Sequence, residues 1–335
     1  MNKTELLLPV GNKEMCYAAI HNGADAIYVG MPGFNARGRS YDHEWGELEE
    51  IVDYCHLYGV KVHLAFNILI FEDELKDALF ALDKAVNLGI DALIIQDLGL
   101  ACLIRKRYPK LVLHGSTQMS ISNHEAIKLL DDLDIKRFVL ARENSITEIK
   151  QIKENTNKEL EVFVHGALCV AYSGQCFTSE ALGGRSANRG QCAQSCRFDY
   201  ELFVDGTKNR NLEKKYLLSP KDLCGIDHVK ELVDIGVDSF KIEGRLKSAE
   251  YVGTAAKAYH QALKNNEVNE TMKSNMAISY SRGFYTGWLN GVAHQELVSG
   301  DSKSNQGLYL GKAKIKSGSD EIILKTKRRL INGDG

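Results

Sequence analysis

Eight short apolar segments separated by helical stretches predict an α/β fold, a TIM-like (β/α)8 barrel. The segments are rich in β-branched residues and nearly continuous in hydrophobicity, which is typical of parallel strands covered by helices on both faces. They occupy roughly 250 residues, the usual size of such a barrel. An open doubly wound sheet would show a similar alternation, but the strand count favours the barrel. The predicted strands are Leu6–Val10, Ala26–Gly30, Val60–Asn67, Ala92–Asp97, Val112–Thr117, Phe138–Arg142, Glu161–Gly166 and Ser239–Gly244.

Most of these strands follow a helical stretch that ends in a glycine-containing turn. Gly23, Gly89 and Gly236 stand just before the second, fourth and eighth strands. Because glycine adopts a left-handed backbone conformation at low cost, it commonly ends a helix. We therefore expect strands and helices to alternate through residues 1–265, which form the predicted barrel domain.

The regular spacing breaks once, between the seventh and eighth strands. The segment 167–238 holds about 70 residues and is predicted to be an insertion. Within it, Tyr200–Gly206 and Tyr216–Leu218 predict a hairpin, and Ser219–Asp222 predicts a helix start, with serine as the cap and proline at the first helical position. Loops that follow the strands form the active-site face of a TIM barrel. Function is therefore expected in this insertion.

Beyond residue 265 the pattern becomes irregular and rich in glycine. Residues 266–305 are predicted to connect the barrel to the start of a small C-terminal β domain over 306–335. Short strands are expected at Leu308–Lys314 and Glu321–Thr326. The sequence stops on a turn signal at Asn332–Gly335, so we expect the remainder of this domain to be missing.

The composition is that of an ordinary globular protein, with 44% hydrophobic and 26% charged residues. The formal net charge of −2 gives no overall field that would attract nucleic acid or an anionic membrane. No segment approaches the ~18 consecutive apolar residues of a membrane helix. The apolar run Leu6–Val10 is too short for a signal peptide. A cytoplasmic location without membrane association is therefore expected.

Five of the eight cysteines lie inside the insertion. The polar, glycine-rich segment Gly183–Cys192 cannot bury a cysteine by its own hydrophobicity, so we expect metal–thiolate bonds to order it. The reducing cytosol makes a disulfide network the less favoured alternative. The five cysteines are Cys169, Cys176, Cys192, Cys196 and Cys224.

Ligation by cysteines alone allows either a tetrahedral zinc ion or an iron–sulfur cluster. Structural zinc sites usually contain cysteines paired about two to four residues apart. Only Cys192 and Cys196 have that spacing, so the wide separation of the others favours a cluster. Nearby Arg185, Arg189 and Arg197 would offset the negative charge of the thiolates.

The residues around the first two of these cysteines closely resemble the signature of the collagenase-like peptidase family, the thirty-second peptidase family of unknown type. That family is better described as a set of iron–sulfur hydroxylases. The likeness extends over about residues 5–335, and its one departure is Thr178, where an aliphatic residue is expected. The matching segments are Glu161–Cys169, Ala171–Cys176, Phe34–Arg37, Ser219–Cys224 and Asp238–Arg245.

The resemblance implies a 4Fe–4S cluster held by Cys169, Cys176, Cys192 and Cys224, with Cys196 as a spare or a substitute. It also implies hydroxylation without molecular oxygen, with prephenate as the hydroxyl donor. The implied substrate is a pyrimidine in RNA, either a tRNA wobble uridine or an rRNA cytidine. Some members of the family act instead on a ubiquinone precursor.

Polar residues near the ends of the predicted strands supply the remaining candidates. Prephenate carries two carboxylates, so cationic side chains are expected to bind it. Carboxylate and imidazole groups at similar positions are expected to move protons. The alternatives are ion pairs that close the barrel mouth and a structural histidine. The predicted substrate-binding residues are Asn35, Arg37 and Arg142, and the predicted catalytic residues are His165, Glu243 and Arg245.

Two other functions stay open at this level. A peptidase would use Cys169 as nucleophile and His165 as base. However, the sequence contains neither an H-E-x-x-H nor a G-x-S-x-G motif, and four further cysteines make ligation the simpler interpretation. The other alternative is a non-catalytic RNA-binding protein that uses the cluster for structure.

Overall fold

The computed structural model describes residues 3–36, 43–210, 212–244, 246–291, 293–315, 322–326 and 330. The strands are β1 (Glu5–Pro9), β2 (Ala26–Gly30), β3 (Lys61–Phe66), β4 (Ala92–Ile95), β5 (Leu113–Gly115), β6 (Arg137–Val139), β7 (Glu159–Ala167), β8 (Phe203–Val204), β9 (Thr207–Lys208), β10 (Tyr216–Pro220), β11 (Asp222–Cys224), β12 (Ser239–Ile242), β13 (Phe284–Tyr285), β14 (Val298–Gly300), β15 (Ala313–Ile315) and β16 (Ile322–Leu324). The helices are α1 (Lys13–His21), α2 (Trp45–Leu57), α3 (Leu75–Asn87), α4 (Leu98–Arg107), α5 (His124–Lys128), α6 (Ile146–Glu154), α7 (Thr178–Gly183), α8 (Val229–Ile235), α9 (Ala249–Asn265), α10 (Glu270–Ser279) and α11 (His294–Leu297).

Eight parallel strands close into a barrel. Strands β1 to β7 pair in chain order, and β12 pairs with both β7 and β1. Each of the eight predicted strands forms, with end points shifted by at most a few residues. The predicted TIM-like barrel, with a long insertion after its seventh strand, is therefore confirmed.

The helices cover the barrel and bury its outer face. Polar side chains cap several of them, as where the Asn12 side chain accepts a hydrogen bond from the Met15 N–H at the start of α1. Helix α9 buries Tyr251 and Tyr259 completely against the strands. None of the described helices is long and apolar enough to cross a membrane.

The inside of the barrel carries a buried network of charges. Arg137 Nη1 lies 2.5 Å from Glu5 and 3.3 Å from Glu161. Lys241 Nζ lies 2.7 Å from Glu161 and 4.4 Å from the ring centre of Tyr28. Two carboxylates and two cations thus balance one another where solvation is lost, which is the condition for retaining buried charge.

The insertion differs from the expected structure in two places. The hairpin does turn at Asp205-Gly206, but its second strand is β9, whereas the predicted partner segment Tyr216–Leu218 lies in β10 and pairs with β14. The predicted helix start at Ser219–Asp222 is wrong, because these residues belong to β10 and β11. The Arg282 guanidinium donates two buried hydrogen bonds to the Asp222 carboxylate. This pair holds the segment in an extended conformation.

Residues 266–305 contain α10, β13, α11 and β14, and two of these strands pair with strands of the insertion. Beyond them, β15 and β16 form a two-stranded antiparallel ladder. The predicted turn at residues 332–335 lies outside the described residues. The interpretation of 306–335 as the start of a β domain stays a prediction.

Strands β7 and β12 approach each other unusually closely at Gly166. Its backbone has a φ of +106°, and a Cβ there would lie 2.3 Å from the Glu243 carbonyl oxygen and 2.9 Å from the Tyr251 hydroxyl. The Glu243 N–H donates to the His165 carbonyl at 2.8 Å on the same seam. Only glycine satisfies both the backbone angle and the close approach.

We expect Gly166→Ala to lower the free energy of unfolding by about 3 kcal/mol, because backbone strain and a clash with main-chain atoms add together. The matched control is Gly59→Ala, whose φ of +70° is similar but whose Cβ would meet open space. That control should cost only about 1 kcal/mol. Urea unfolding of both variants tests this, and equal losses would show that the seam tolerates a side chain.

Candidate active site

A cavity of about 370 Å³ opens at the C-terminal ends of the barrel strands. Residues at several strand ends line it, including Pro9, Gly30 and Glu243, and Lys241 lies within the barrel at the same cavity. This volume is typical of a site for a small molecule or a single chemical group of a larger one. The position matches the active-site face of TIM barrels.

Four cysteines of the insertion line this cavity. Cys169 follows the end of β7 by two residues, and Cys176 precedes α7 by two residues. Cys192 ends the glycine-rich segment that follows α7, and Cys196 lies four residues further along the chain. All four side chains are half-buried. Thiols separated by up to 27 positions in the sequence therefore converge on one wall of the cavity.

The loop between Cys169 and Cys176 is fixed to the barrel through Ser173. The Ser173 N–H donates to the Glu143 carboxylate at 2.6 Å, and its carbonyl accepts from the Ser120 hydroxyl at 2.5 Å. Next to it, Gly174 has a φ of +74°, and a Cβ there would lie 2.2 Å from the Gln118 carbonyl oxygen. The loop thus lies directly on the turn after β5.

Burial raises the pKa of the Cys169 thiol, and the neighbouring thiols Cys176 and Cys192 add to this shift, while Arg142 opposes it. Burial raises the pKa of Cys196 to about 11, with the same neighbours adding and Arg197 opposing. A bound cationic centre reverses this balance, because it favours thiolates strongly. The wall is therefore suited to a metal centre and poorly suited to a free nucleophilic thiol.

Cys224 lies apart from the other four. It pairs with His165 in the antiparallel ladder of β11 and β7. That position is four residues before Cys169 along the chain and lies inside β7, whereas Cys169 follows the end of that strand. Its side chain is buried beside the Tyr259 hydroxyl and does not line the cavity. The structure therefore places Cys196, and not Cys224, with the other three cysteines.

His165 lies outside the cavity lining. Its ring is buried among Tyr251, Tyr259 and Phe284, at centre-to-centre distances of 5.5–5.7 Å. Neither ring nitrogen has a hydrogen-bond partner among the described residues. Burial lowers the pKa of His165 to about 4, so the ring is neutral near pH 7. The ring therefore does not line the cavity, and its predicted catalytic role stays a prediction.

Three other predicted residues line the cavity: Asn35, Arg142 and Glu243. The Arg142 guanidinium donates to the Glu243 carboxylate at 2.8 Å and lies 4.0 Å from the ring centre of Phe163. The Asn35 side chain donates to the Met31 carbonyl at 2.8 Å. The predicted substrate-binding Arg37 and the predicted catalytic Arg245 lie outside the described residues.

Sequence reasoning missed Lys247, which is buried and lines the cavity. Its Nζ lies 2.9 Å from the ring centre of Tyr280. Among the described residues, no carboxylate oxygen comes within 4.0 Å of that nitrogen. Burial lowers the pKa of Lys247 to about 8, and the charge of Arg282 adds to this shift, while the carboxylates of Asp222 and Glu243 oppose it. The only sequence signal was its position a few residues beyond the eighth strand.

A separate set of potential ligands lies inside the barrel. His63, His114 and Glu161 place one ligand atom each within 4.8 Å of one another, and within the described ranges they are the only such compact group of three. However, Lys241 and Arg137 already neutralise Glu161. A divalent ion would add uncompensated positive charge there. The four cysteines are spread more widely than ligands of a single ion.

Together, the closed barrel and the cavity define a TIM-barrel protein with four cysteine side chains lining a cavity at its C-terminal face. The chain matches the profile described as "Peptidase family U32" over residues 11–299. It therefore belongs to that family, which confirms the resemblance found in the sequence.

Named relatives and a solved structure agree with this assignment. The whole chain is 36% identical to a 23S rRNA 5-hydroxycytidine synthase of Escherichia coli and spans 52% of that protein, about half its length. It is 39% identical to a tRNA hydroxylation protein of Bacillus subtilis, over 78% of this chain and 63% of that one. The solved structure of a U32 peptidase matches 73% of this chain and 94% of its own, with a TM-score of 0.50 at 16% identity, and shows the shared fold.

Proposed function

We propose that this chain is the cluster-binding part of an oxygen-independent hydroxylase that modifies a pyrimidine in RNA. The observation that carries the proposal is the convergence of four cysteines on one wall of a strand-end cavity. Relatives named for hydroxylation of rRNA and tRNA support the reaction class. The choice between a tRNA uridine and an rRNA cytidine is left to experiment.

We assign Cys169, Cys176, Cys192 and Cys196 as the ligands of a 4Fe–4S cluster, with Cys196 in the place first given to Cys224. The donor set fits, because four thiols line the same wall closely enough to act on one another's pKa values, and none belongs to the compact group of ligands found among the described residues. Arg142 and Arg197 lie close enough to act on the thiol pKa values and would offset the negative charge. When bound, such a cluster supplies electron transfer at this wall.

Glu243 is the residue best placed to hold or move a proton. It is buried, lines the cavity and is oriented by Arg142 through a 2.8 Å hydrogen bond. Arg142 is itself held by the Phe163 ring and by the Ala167 carbonyl. A carboxylate oriented in this way is suited to general acid–base catalysis.

The cavity also supports an anionic hydroxyl donor such as prephenate. Lys247 is buried at its wall without a carboxylate partner among the described residues, whereas Arg142 and Arg282 already pair with Glu243 and Asp222. A buried ammonium with no carboxylate oxygen within 4.0 Å among the described residues favours an incoming carboxylate. We therefore assign Lys247 as the anchor of the donor.

The peptidase reading has weaker support. Cys169 would need a base, but His165 lies outside the cavity lining and its ring is enclosed by aromatic side chains. Burial also raises the pKa of the Cys169 thiol, which opposes formation of a nucleophilic thiolate.

Replacing Cys196 by serine should remove most of the iron and sulfide from anaerobically purified protein, because it deletes a ligand. Cys224→Ser is the matched control and should keep the wild-type iron content, since Cys224 lies apart from the cavity. Iron and sulfide analysis with visible absorption measures both. The reverse pattern would show that Cys224, and not Cys196, is the fourth ligand.

Lys247→Met should weaken prephenate binding by about 10-fold or more, because a charge-assisted contact is lost. The wild-type affinity should fall as the pH rises through about 8, where the folded-state pKa of Lys247 makes the ammonium neutral. The variant should bind weakly with little change across that range. Calorimetric titration measures this, and the control is Lys303→Met, an exposed lysine that also lines the cavity.

The function itself is tested by incubating the cluster-loaded protein with prephenate and tRNA or 23S rRNA transcripts, followed by nucleoside mass spectrometry. We expect a pyrimidine nucleoside to gain one oxygen. Glu243→Gln should abolish this gain while the iron content is retained, and Glu180→Gln, on the exposed side of α7, should not. Unmodified RNA with fully loaded wild-type protein would contradict the proposal.

A further inference from the structure

Exposed apolar side chains lie in, or within a few residues of, the chain segments that line the cavity. Tyr172 and Leu246 line the cavity and yet are largely exposed to solvent. Two further members adjoin the cysteines Cys169 and Cys176 in the sequence. We call this set the rim, and its members are Leu69, Phe71, Val170, Tyr172, Phe177 and Leu246.

Tyr172 combines a fixed backbone with an exposed ring. Its side chain is 70% exposed. The next residue, Ser173, is buried and bonded to Glu143 and Ser120, and Gly174 lies against the Gln118 carbonyl. The ring is therefore held out at the mouth by a rigid loop. An aromatic ring that is largely exposed and stacks on no other ring among the described residues is suited to an external planar group.

Phe71 and Arg189 form a second planar surface. The guanidinium of Arg189 lies 4.2 Å from the ring centre of Phe71, which is 59% exposed. Arg189 also donates to the Leu69 carbonyl and to the Glu74 carboxylate, so its plane is fixed. The neighbouring residues Ala187 and Asn188 line the cavity, which makes this pair part of the same mouth.

We propose that Tyr172 and the stacked pair of Phe71 and Arg189 form a platform for unpaired RNA bases, so that the target nucleotide reaches the cavity from a single strand. This inference rests on the proposed function and specifies how its substrate is presented. Stacking of bases on aromatic rings and on arginine planes is the usual way in which proteins hold unpaired RNA.

The shape of the cavity favours a single strand over a duplex. Strand ends enclose it, and its lining extends down to Lys241 inside the barrel. A base held in a duplex cannot reach such a position without leaving the stack. Exposed Arg185 and Lys303 beside the mouth suit a phosphate backbone better than an apolar protein segment.

Binding of a fluorescent uridine-rich oligonucleotide to the cluster-loaded chain tests the platform. We expect the single strand to bind more tightly than the same sequence in a duplex, and Tyr172→Ala to weaken its binding about 10-fold. Tyr172→Phe should bind within about twofold of the wild type, because the ring is kept. Phe80→Ala on α3 removes another largely exposed ring, one that does not line the cavity, and should have no effect.

Quenching of an aminopurine base in the oligonucleotide reports stacking directly and should disappear in Tyr172→Ala. Unchanged binding and quenching in that variant, or equal affinity for single strand and duplex, would overturn the platform. The exposed rim would then be better explained as a contact surface for a protein partner. If RNA binding depends on Tyr172 but the protein does not hydroxylate RNA, the platform is supported and the proposed reaction is not. Unaltered hydroxylation and KM in Tyr172→Ala would overturn the platform alone.

Discussion

The seam between β7 and β12 is the constraint on which the whole site depends. Gly166 allows the two strands to approach until its α-carbon faces the Glu243 carbonyl. This contact closes the barrel and places Glu243 at the cavity, next to Arg142 from the loop that follows β6. Three residues beyond Gly166, the chain leaves the barrel at Cys169. One close backbone contact therefore fixes both the carboxylate and the first thiol of the candidate centre.

The insertion is held by polar contacts rather than by a core of its own. Ser173 binds the barrel loops, and Arg197 donates to the Leu168 carbonyl and the Ser219 hydroxyl. Between these anchors, the segment that carries Cys192 has little apolar content and lies half-buried. A metal centre would add covalent ordering where burial supplies little, which explains why the thiols gather there. Structure and cofactor binding are thus coupled in the same loop.

Much of the fold could be predicted from the sequence, because buried parallel strands leave continuous apolar runs between glycine turns. The cysteine-rich insertion could also be predicted, because it interrupts the regular spacing of the strands and holds five of the eight cysteines. The position of Cys224 outside the cavity lining could not be predicted, because the antiparallel pairing of β11 with β7 joins residues far apart in the sequence. The helix start predicted at Ser219–Asp222 was wrong because it rested only on a capping serine followed by a proline. The buried ion pair of Asp222 and Arg282 holds this segment in strands instead. The burial of Lys247 likewise depends on the distant Tyr280.

The central claim is that four thiolates at the barrel mouth hold an iron–sulfur cluster beside a cavity for an anionic donor and a nucleobase. X-ray absorption at the iron edge of anaerobically prepared wild-type protein tests this most directly. The account predicts an iron environment of sulfur ligands only, with the iron–iron scattering of a cubane cluster. Protein that contains no iron, or that holds stoichiometric zinc with no iron–iron scattering, would contradict it.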